Sequence, residues 1–462
     1  MSKRSNIKVH NASFRDPSGY IYYDENGSLM RKINDSGLED FRFLVDSGLY
    51  ERLVNKSLLI PHKEVKQLNR VKISNSTISI KPEKVSTVSY PFEWSFSQLK
   101  DAALCTLKIQ KYALRYGQTL KDASAYNIQF HNGKPLLIDT LSFEKYKNTE
   151  PWKAYKQFCQ HFLAPLALMS YTDVNLSQLM RIYIDGIPLE IAAKLLPVRA
   201  KARLGILLHI SAHSRAQKAK SGVGQKQSAR VTKSGMLAII DSLERTINKL
   251  KLSKSNTEWM NYYGNTNYSA DATDKKLDLV VKFVSSLKAK KVLDLGGNNG
   301  KYSRELNKLG IETICTDIDP NAVEFNYKSL KHSGETLMLP LVIDLVNPAG
   351  GLGWANTERS VITERFACDA SMALALVHHL AISNNLPLLR IAEYFAEFSP
   401  HLIIEFVPKE DSQVKKLLST REDIFTEYNI EGFESAFSKV YTTIDKKKIP
   451  GTKRTLYLFK RK

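Results

Sequence analysis

The stretch Lys291-Val-Leu-Asp-Leu-Gly-Gly-Asn-Asn-Gly300 constrains this chain more than any other. An apolar strand carrying an acid runs into a glycine-rich turn. A helical pattern follows over Lys301-Tyr-Ser-Arg-Glu-Leu-Asn-Lys-Leu309, and a second strand, Ile311-Glu-Thr-Ile-Cys-Thr316, ends on Asp317-Ile-Asp319-Pro320. Strand, glycine turn, helix, strand and acid in this order make the nucleotide-binding end of a doubly wound sheet. Glycines are needed because the backbone turns sharply and lies close to a ligand, where a Cβ would obstruct. The spacing Gly296, Gly297, Gly300 lacks the Gly-x-Gly-x-x-Gly of dinucleotide binders.

Asp294-Leu-Gly-Gly-Asn-Asn-Gly300 resembles instead the first motif of class I S-adenosylmethionine-dependent methyltransferases. The resemblance implies that Asp294 helps orient the methionine ammonium and that Gly296, Gly297 and Gly300 pass under the methionine and ribose. It implies that Asp317, at the end of the second strand, accepts bonds from the ribose hydroxyls. Asp319-Pro320 reads as the cap and first residue of the next helix. A third strand, Leu337 to Ile343, leads to Asp344, which the resemblance places at the adenine amino group; capping a turn is its alternative role. A fourth strand is expected to run from Met372 into His378-His379-Leu380, bordering the transferred methyl. There a neutral imidazole of His378 or His379 would take the acceptor's proton, and nothing in the sequence chooses between them. His401 to Pro408 is the fifth strand. Lys439 to Ile444 and Arg454 to Phe459 form a terminal hairpin that fits the reversed last strand of the methyltransferase sheet. The fold class is thus α/β, a Rossmann-like seven-stranded sheet over residues 257–462, preceded by an N-terminal α+β domain over 1–213 and a basic linker and helix over 214–256.

In the N-terminal half, Asp24-Glu-Asn-Gly27 between Gly19–Tyr23 and Ser28–Ile33 signals a hairpin. A helix is expected from about Gly37 to Val54, with strands at Leu58–Pro61 and Thr77–Pro82. A long amphipathic helix follows over roughly Ser97–Tyr116, with Leu99, Ala102, Ala103, Leu107, Ala113 and Leu114 on one face. Asp122 and Asn127, the turn His131-Asn-Gly-Lys-Pro135 and a strand ending in Asp139 then resemble the catalytic segment of protein-kinase-like and aminoglycoside-phosphotransferase-like folds. That resemblance implies a hydroxyl-orienting role for Asp122, and magnesium and phosphate contacts for Asn127 and Asp139, with Mg-ATP as cofactor if the segment is live. The pattern departs from those families: Asp139 is followed by Thr-Leu, no His-Arg precedes Asp122, no glycine-rich loop is evident, and Lys32 and Lys81 are only loose matches to the phosphate-pairing lysine. Turn capping by Asp122 and Asn127 is the alternative.

Ser89-Tyr-Pro-Phe-Glu-Trp94, Leu120 to Glu144 and Pro151-Trp to Leu168 are similar to a bacterial group of nodulation-associated, NoeA-like methyltransferases. This resemblance suggests a saccharide or cell-surface link for the acceptor.

The formal charge of +20 favours an anionic partner such as nucleic acid, an acidic glycan or a lipid surface, without selecting one. A basic segment, Ser214 to Ser234, carries Arg215, Lys218, Lys220, Lys226, Arg230 and Lys233 and no acid. The four cysteines, Cys105, Cys159, Cys315 and Cys368, lie too far apart in sequence for a zinc pair and suit a reducing compartment. No run approaches the ~18 apolar residues of a membrane span, and the start leads into no apolar signal region, so a cytoplasmic protein is expected. Three functions stay open: methyl transfer to oxygen or nitrogen of a small molecule or saccharide; methylation of RNA or another nucleic acid, suggested by the charge but lacking an Asn/Asp-Pro-Pro-Tyr motif; and ligand binding without turnover by a kinase-like N-terminal domain.

Overall fold

A computed structural model describes residues 8–65, 78–212, 230–252, 270–419 and 422–462. Residues 214–229 of the basic segment, and the aromatic and amide stretch 257–269, lie outside them. The chain forms two compact units: Met1–Phe92, Phe96–Lys254 and Gly350–Ser360 make the first, and Glu93–Ser95, Ser255–Ala349 and Val361–Lys462 the second.

The first unit opens on a five-stranded antiparallel sheet of β1 (Lys8–Val9), β2 (Gly19–Tyr23), β3 (Leu29–Ile33), β4 (His62–Val65) and β5 (Ile78–Pro82), ordered β1-β2-β3-β5-β4. The expected hairpin forms because the Asp24 carboxylate accepts the Asn26 and Ser28 amides while Gly27 adopts a positive φ. The single helix expected over 37–54 is two, α1 (Asp35–Asp46) and α2 (Leu49–Asn55). Gly48, at φ +79°, breaks the turn between them. Leu58–Pro61 is no strand. Its apolar side chains are buried, and it makes one bridge, Leu59 to Leu137, before Pro61 interrupts the pairing. Helix α3 (Phe96–Arg115) buries the face read from its periodicity. After it, β6 (Gln118–Leu120) pairs with β9 (Phe143–Lys145), and β7 (Ile128–His131) pairs with β8 (Lys134–Leu137) through Asn132-Gly133, both at positive φ.

The second unit is a seven-stranded sheet: β10 (Lys291–Leu295), β11 (Glu312–Asp317), β12 (Met338–Val342), β13 (Ala370–Ala373), β14 (His401–Phe406), β15 (Tyr441–Lys448) and β16 (Thr455–Arg461). Its order is β12-β11-β10-β13-β14-β16-β15. The first five strands are parallel, and β16 runs antiparallel to β14. Helix α4 (Ala270–Ser286) presses Val280, Phe283 and Val284 onto Val292, Met372, Ile403, Leu456 and Leu458. Each fully buried side chain of this size contributes about 1.5–3 kcal/mol. Strand order reverses at β10, between β11 and β13. In such sheets the crevice for a ligand opens there, beyond the carboxyl ends of the strands. Among the described residues no helix is long and apolar enough to cross a membrane.

Candidate functional site

The turn after β10 folds back over its own strand. Gly297 donates its N–H to the Thr316 carbonyl at 2.9 Å. A Cβ on Gly297 would lie 2.7 Å from the Asp294 carboxylate and 2.6 Å from Cys315 Sγ, so only glycine closes this fold. Gly300, at φ +78°, starts α5 (Lys301–Lys308), and its missing Cβ makes room for the Asn326 amide, 2.6 Å from where that atom would stand.

Beneath the turn, Asp294 is 1% exposed and accepts a hydrogen bond from Ser303 Oγ at 2.7 Å. Burial pushes its pKa up to about 6, against the lowering by Ser303. Asp317 ends β11, buried with 8% exposure. Its Oδ2 accepts the Asn298 amide at 2.8 Å and its Oδ1 the Asp319 amide at 2.9 Å. Burial dominates here too and raises the pKa to about 6. The Ile318 amide bonds it as well; a carboxylate offers about four lone-pair sites, so three amides leave Asp317 about one for a hydroxyl donor. Ile318 beside it is 57% exposed, an apolar surface next to an acceptor. Asp319 caps α6 (Pro320–Ser333) by accepting the Asn321 amide. Asp344 lies two residues past β12, where its Oδ1 accepts the Val346 amide at 2.9 Å.

The fourth strand is shorter than its apolar run suggests. It stops at Ala373; Ala375 then takes φ +52°, and the chain winds into a wide helical turn over His379–Ser383. The two histidines therefore sit on that turn and not on the strand, with ring centroids 4.2 Å apart. They differ in surroundings. His378 is 0% exposed, neither ring nitrogen has a hydrogen-bond partner among the described residues, and burial holds its pKa far below the usual value. His379 is half-buried.

A buried ionic network at the same sheet edge escaped the sequence reading. Glu405, fully buried near the end of β14, pairs with Lys276 Nζ at 2.6 Å and Arg454 Nη1 at 3.2 Å. Arg454 also grips Asp411 with Nε at 2.8 Å and Nη2 at 3.1 Å. Burial lowers the Lys276 pKa, and its ammonium lies over the Tyr302 ring. A lone acid inside the apolar run His401–Phe406 was the available signal.

In the first unit the three other sequence candidates come together. The Asp122 carboxylate accepts the Ser124 amide and bonds with the Asn127 and Gln157 side chains; burial is the main reason its pKa is raised. Asn127 Nδ2 reaches Ser142 Oγ at 3.4 Å. Asp139 is engaged on both oxygens: Oδ1 by Arg31 Nη1 at 2.7 Å and the Leu141 amide at 2.8 Å, Oδ2 by Ser142 Oγ at 2.9 Å. Lys32 is buried with its ammonium over the Tyr20 ring, and Lys81 bonds Ser28 Oγ.

No family model matches the chain. It is similar to nodulation protein NoeA of Rhizobium meliloti (strain 1021), with 36% identity over 463 residues, 97% of this chain and 95% of that one. Among solved structures it is similar to the N-methyltransferase NodS of Bradyrhizobium japonicum WM9 (10% identity, TM-score 0.32, 42% of this chain and 98% of that). It is also similar to magnesium protoporphyrin IX methyltransferase of Synechocystis PCC 6803 with bound SAH (15% identity, TM-score 0.33, 44% of this chain and 92% of that).

Proposed function

The chain belongs to the family of nodulation protein NoeA, and we propose that it moves the methyl group of S-adenosylmethionine onto an oxygen or nitrogen of a hydroxyl-bearing acceptor. The observation that carries the reading is Asp317, which stands beside the glycine turn at the sheet's switch point, held by three backbone amides and paired with no cation among the described residues. A ribose hydroxyl needs such an uncompensated carboxylate as its acceptor. Exposed Ile318 supplies an apolar face for an adenine ring, and the buried Asp294 supplies negative potential under the turn for the methionine ammonium. Asp344 spends one lone pair on its own turn and keeps others for an amino group.

When bound, S-adenosylmethionine supplies an activated methyl on a sulfonium that leaves readily. What this chain must add is alignment of the acceptor and removal of its proton. We assign proton removal to His379, because an acceptor can touch a half-buried ring and cannot touch His378, which solvent does not reach. His378 stays neutral beneath it and adds no positive charge near a cationic sulfur. The acceptor's O–H or N–H proton passes to the His379 ring as the new C–O or C–N bond forms.

Calorimetric titration with S-adenosylmethionine tests the cofactor assignment. Asp317→Ala removes the ribose acceptor, and at about 1.5–3 kcal/mol for a hydrogen bond to a charged group its affinity should fall at least tenfold. An unchanged affinity would refute the reading.

The pairing of β6 with β9 and the β7–β8 hairpin around Asp122, Asn127 and Asp139 support a kinase-like arrangement in the first unit. Mg-ATP does not fit it. Arg31 occupies the Asp139 oxygen that a magnesium ion would need, and among the described residues no three His, Cys, Asp or Glu side chains gather as a metal site. We therefore propose that this unit binds without transferring phosphoryl groups.

A further inference from the structure

Large apolar side chains exposed singly on a surface are ordinary; several in one place mark an interface. Among the described residues eighteen are exposed, and five of them, Leu195, Val198, Leu204, Leu207 and Leu208, follow closely in one stretch of the first unit. Val198 is 82% exposed and Leu204 70%. The stretch comprises the end of the helix Leu189–Leu195, the short helices Val198–Lys201 and Leu204–Ile206, and the wide turn Leu207–Ala212. The first of these packs on the last, and the middle two pack on each other, so the five side chains stand on adjoining turns.

The backbone holds them outward. Leu196, Ala200, Ile206 and Ile210 alternate with them along the chain and are buried. Gly205 lies directly on the helix Lys233–Lys249, where a Cβ would stand 2.0 Å from Thr246 Oγ1. Buried His209 bonds the Tyr155 hydroxyl at 2.8 Å and the Ser242 hydroxyl at 2.9 Å. With the inward row fixed at these points in a close-packed interior, the outward row has no space to turn into.

Four cations, Lys194, Arg199, Lys201 and Arg203, stand among the five apolar residues. All but the half-buried Lys201 are exposed, and none of the four side chains makes a hydrogen bond or ion pair with the described residues. The acids of the neighbouring elements do not balance them. On the helix Lys233–Lys249, Asp241 and Glu244 both hold Lys111, and the same helix adds exposed Arg245 and Lys249. Asp173 caps its own turn by accepting the Asn175 amide, and Asp185 acts on Arg15. Glu190 sits in the first turn of the helix Leu189–Leu195, at the opposite end from Leu195. Along the chain no acid occurs between Glu190 and Asp241, against ten lysines and arginines.

Aliphatic side chains rimmed by uncompensated cations match the boundary between the headgroups and acyl chains of an anionic bilayer. There the apolar groups leave water while the long basic side chains reach back to the phosphates. A second copy of the chain fits worse, because a self-complementary contact brings the same four cations face to face. RNA fits worse too, because residues 195–208 include no Phe, Tyr or Trp on which a base could stack.

We propose that the face carrying Leu195 to Leu208 docks the protein on an anionic lipid surface, with Val198 and Leu204 entering the bilayer and Arg199 and Arg203 binding headgroup phosphates. The proposal is independent of the methyl-transfer reading. The test is co-sedimentation of the full chain with phosphatidylcholine vesicles and with vesicles in which about a third of the lipid is phosphatidylserine. Binding to the anionic vesicles should be stronger by about tenfold or more, and should weaken as salt is added. At about fivefold per basic residue, Arg199→Gln with Arg203→Gln should lose about tenfold or more. Val198→Ser with Leu204→Ser should lose about as much with the melting temperature unchanged, and Leu195→Ser with Leu208→Ser gives a second, separate pair. Leu309→Ser, at an exposed leucine of the second unit, should lose nothing. Equal binding to both kinds of vesicle would overturn the proposal. So would binding that falls in the glutamine pair and survives in both serine pairs, since net charge alone then accounts for it. Dimerisation of the parent chain that a serine pair abolishes would assign the face to a second copy instead. Tighter binding to a short single-stranded RNA than to anionic vesicles, weakened by the serine pairs, would assign it to nucleic acid.

Discussion

Asp317 makes cofactor affinity and protein stability respond to pH in opposite directions. Its carboxylate sits near pKa 6 because burial penalises the charge more than the amides of Asn298 and Asp319 repay it. Only the ionised form accepts a charge-assisted hydrogen bond from a ribose hydroxyl. The apparent dissociation constant therefore scales as one over the ionised fraction: at pH 7.5 nearly all of Asp317 is ionised, and at pH 5.0 about one part in ten. A loss of about tenfold in affinity follows over that range. The stability term has the other sign. Asp294 and Asp317 are both raised above the unfolded value near 4, so the ligand-free native state binds more protons than the unfolded chain between about pH 4 and 6. Stability from these two groups is therefore present below that window, is lost as pH rises through it, and stays lost above it. At two units each and about 1.4 kcal/mol per unit, the swing is roughly 3 kcal/mol per group. The assay is calorimetric titration of S-adenosylmethionine at pH 5.0, 6.0 and 7.5, with Asp317→Asn alongside. The asparagine variant should bind weakly, with the Asp317 part of the pH slope gone. A flat affinity profile for the parent chain, or an equally steep one for Asp317→Asn, would refute the reasoning.

Two further outcomes follow from buried charge. In the second unit Arg365 reaches Glu93 with both terminal nitrogens, and both side chains are buried; Glu93→Ala strands a guanidinium away from water and should cost about 3–5 kcal/mol, read as a lowered unfolding midpoint in urea, whereas a change under 1 kcal/mol would show that the pair contributes little. In the first unit, ATP with magnesium should leave the melting temperature unmoved because Arg31 holds Asp139; a rise of several degrees that Asp139→Ala abolishes would reopen phosphoryl chemistry there.

What could be read in advance was local. Asp294, the three glycines and Asp317 lie within 24 residues, and their geometry follows from one strand–turn–helix–strand unit whose hydrogen bonds are short in sequence. Gly48 shows the limit of periodicity: the apolar pattern ran on from α1 into α2, yet one glycine with a preceding serine stops a helix whatever its apolar face continues to do. The fourth strand failed for a related reason. Met372-Ala-Leu-Ala-Leu-Val is equally good as strand or buried turn, and its parallel neighbours on either side pair with no residue beyond Ala373.

The harder losses concern which polar groups remain available. Asp122, Asn127 and Asp139 were recognisable by spacing, and the structure does bring them together; yet spacing says nothing about Arg31, more than 100 residues from Asp139, which the register of β3 against β5 delivers to it. Glu405 and Arg454 likewise meet because β16 lies antiparallel on β14, so the partner of a lone acid in an apolar strand was 49 residues away. A motif specifies where the backbone can hold a ligand. Whether a carboxylate in it can bind one depends on which tertiary neighbours already hold it and whether they balance its charge. Asp317 and Asp139 each carry three bonds, but those on Asp317 are all from neutral backbone amides, whereas one of those on Asp139 is from a guanidinium that balances its charge. The two acids look alike in the sequence, each ending a strand before a turn, and the difference in what they can do arises from Arg31, which pairs with Asp139, whereas no cation pairs with Asp317 among the described residues.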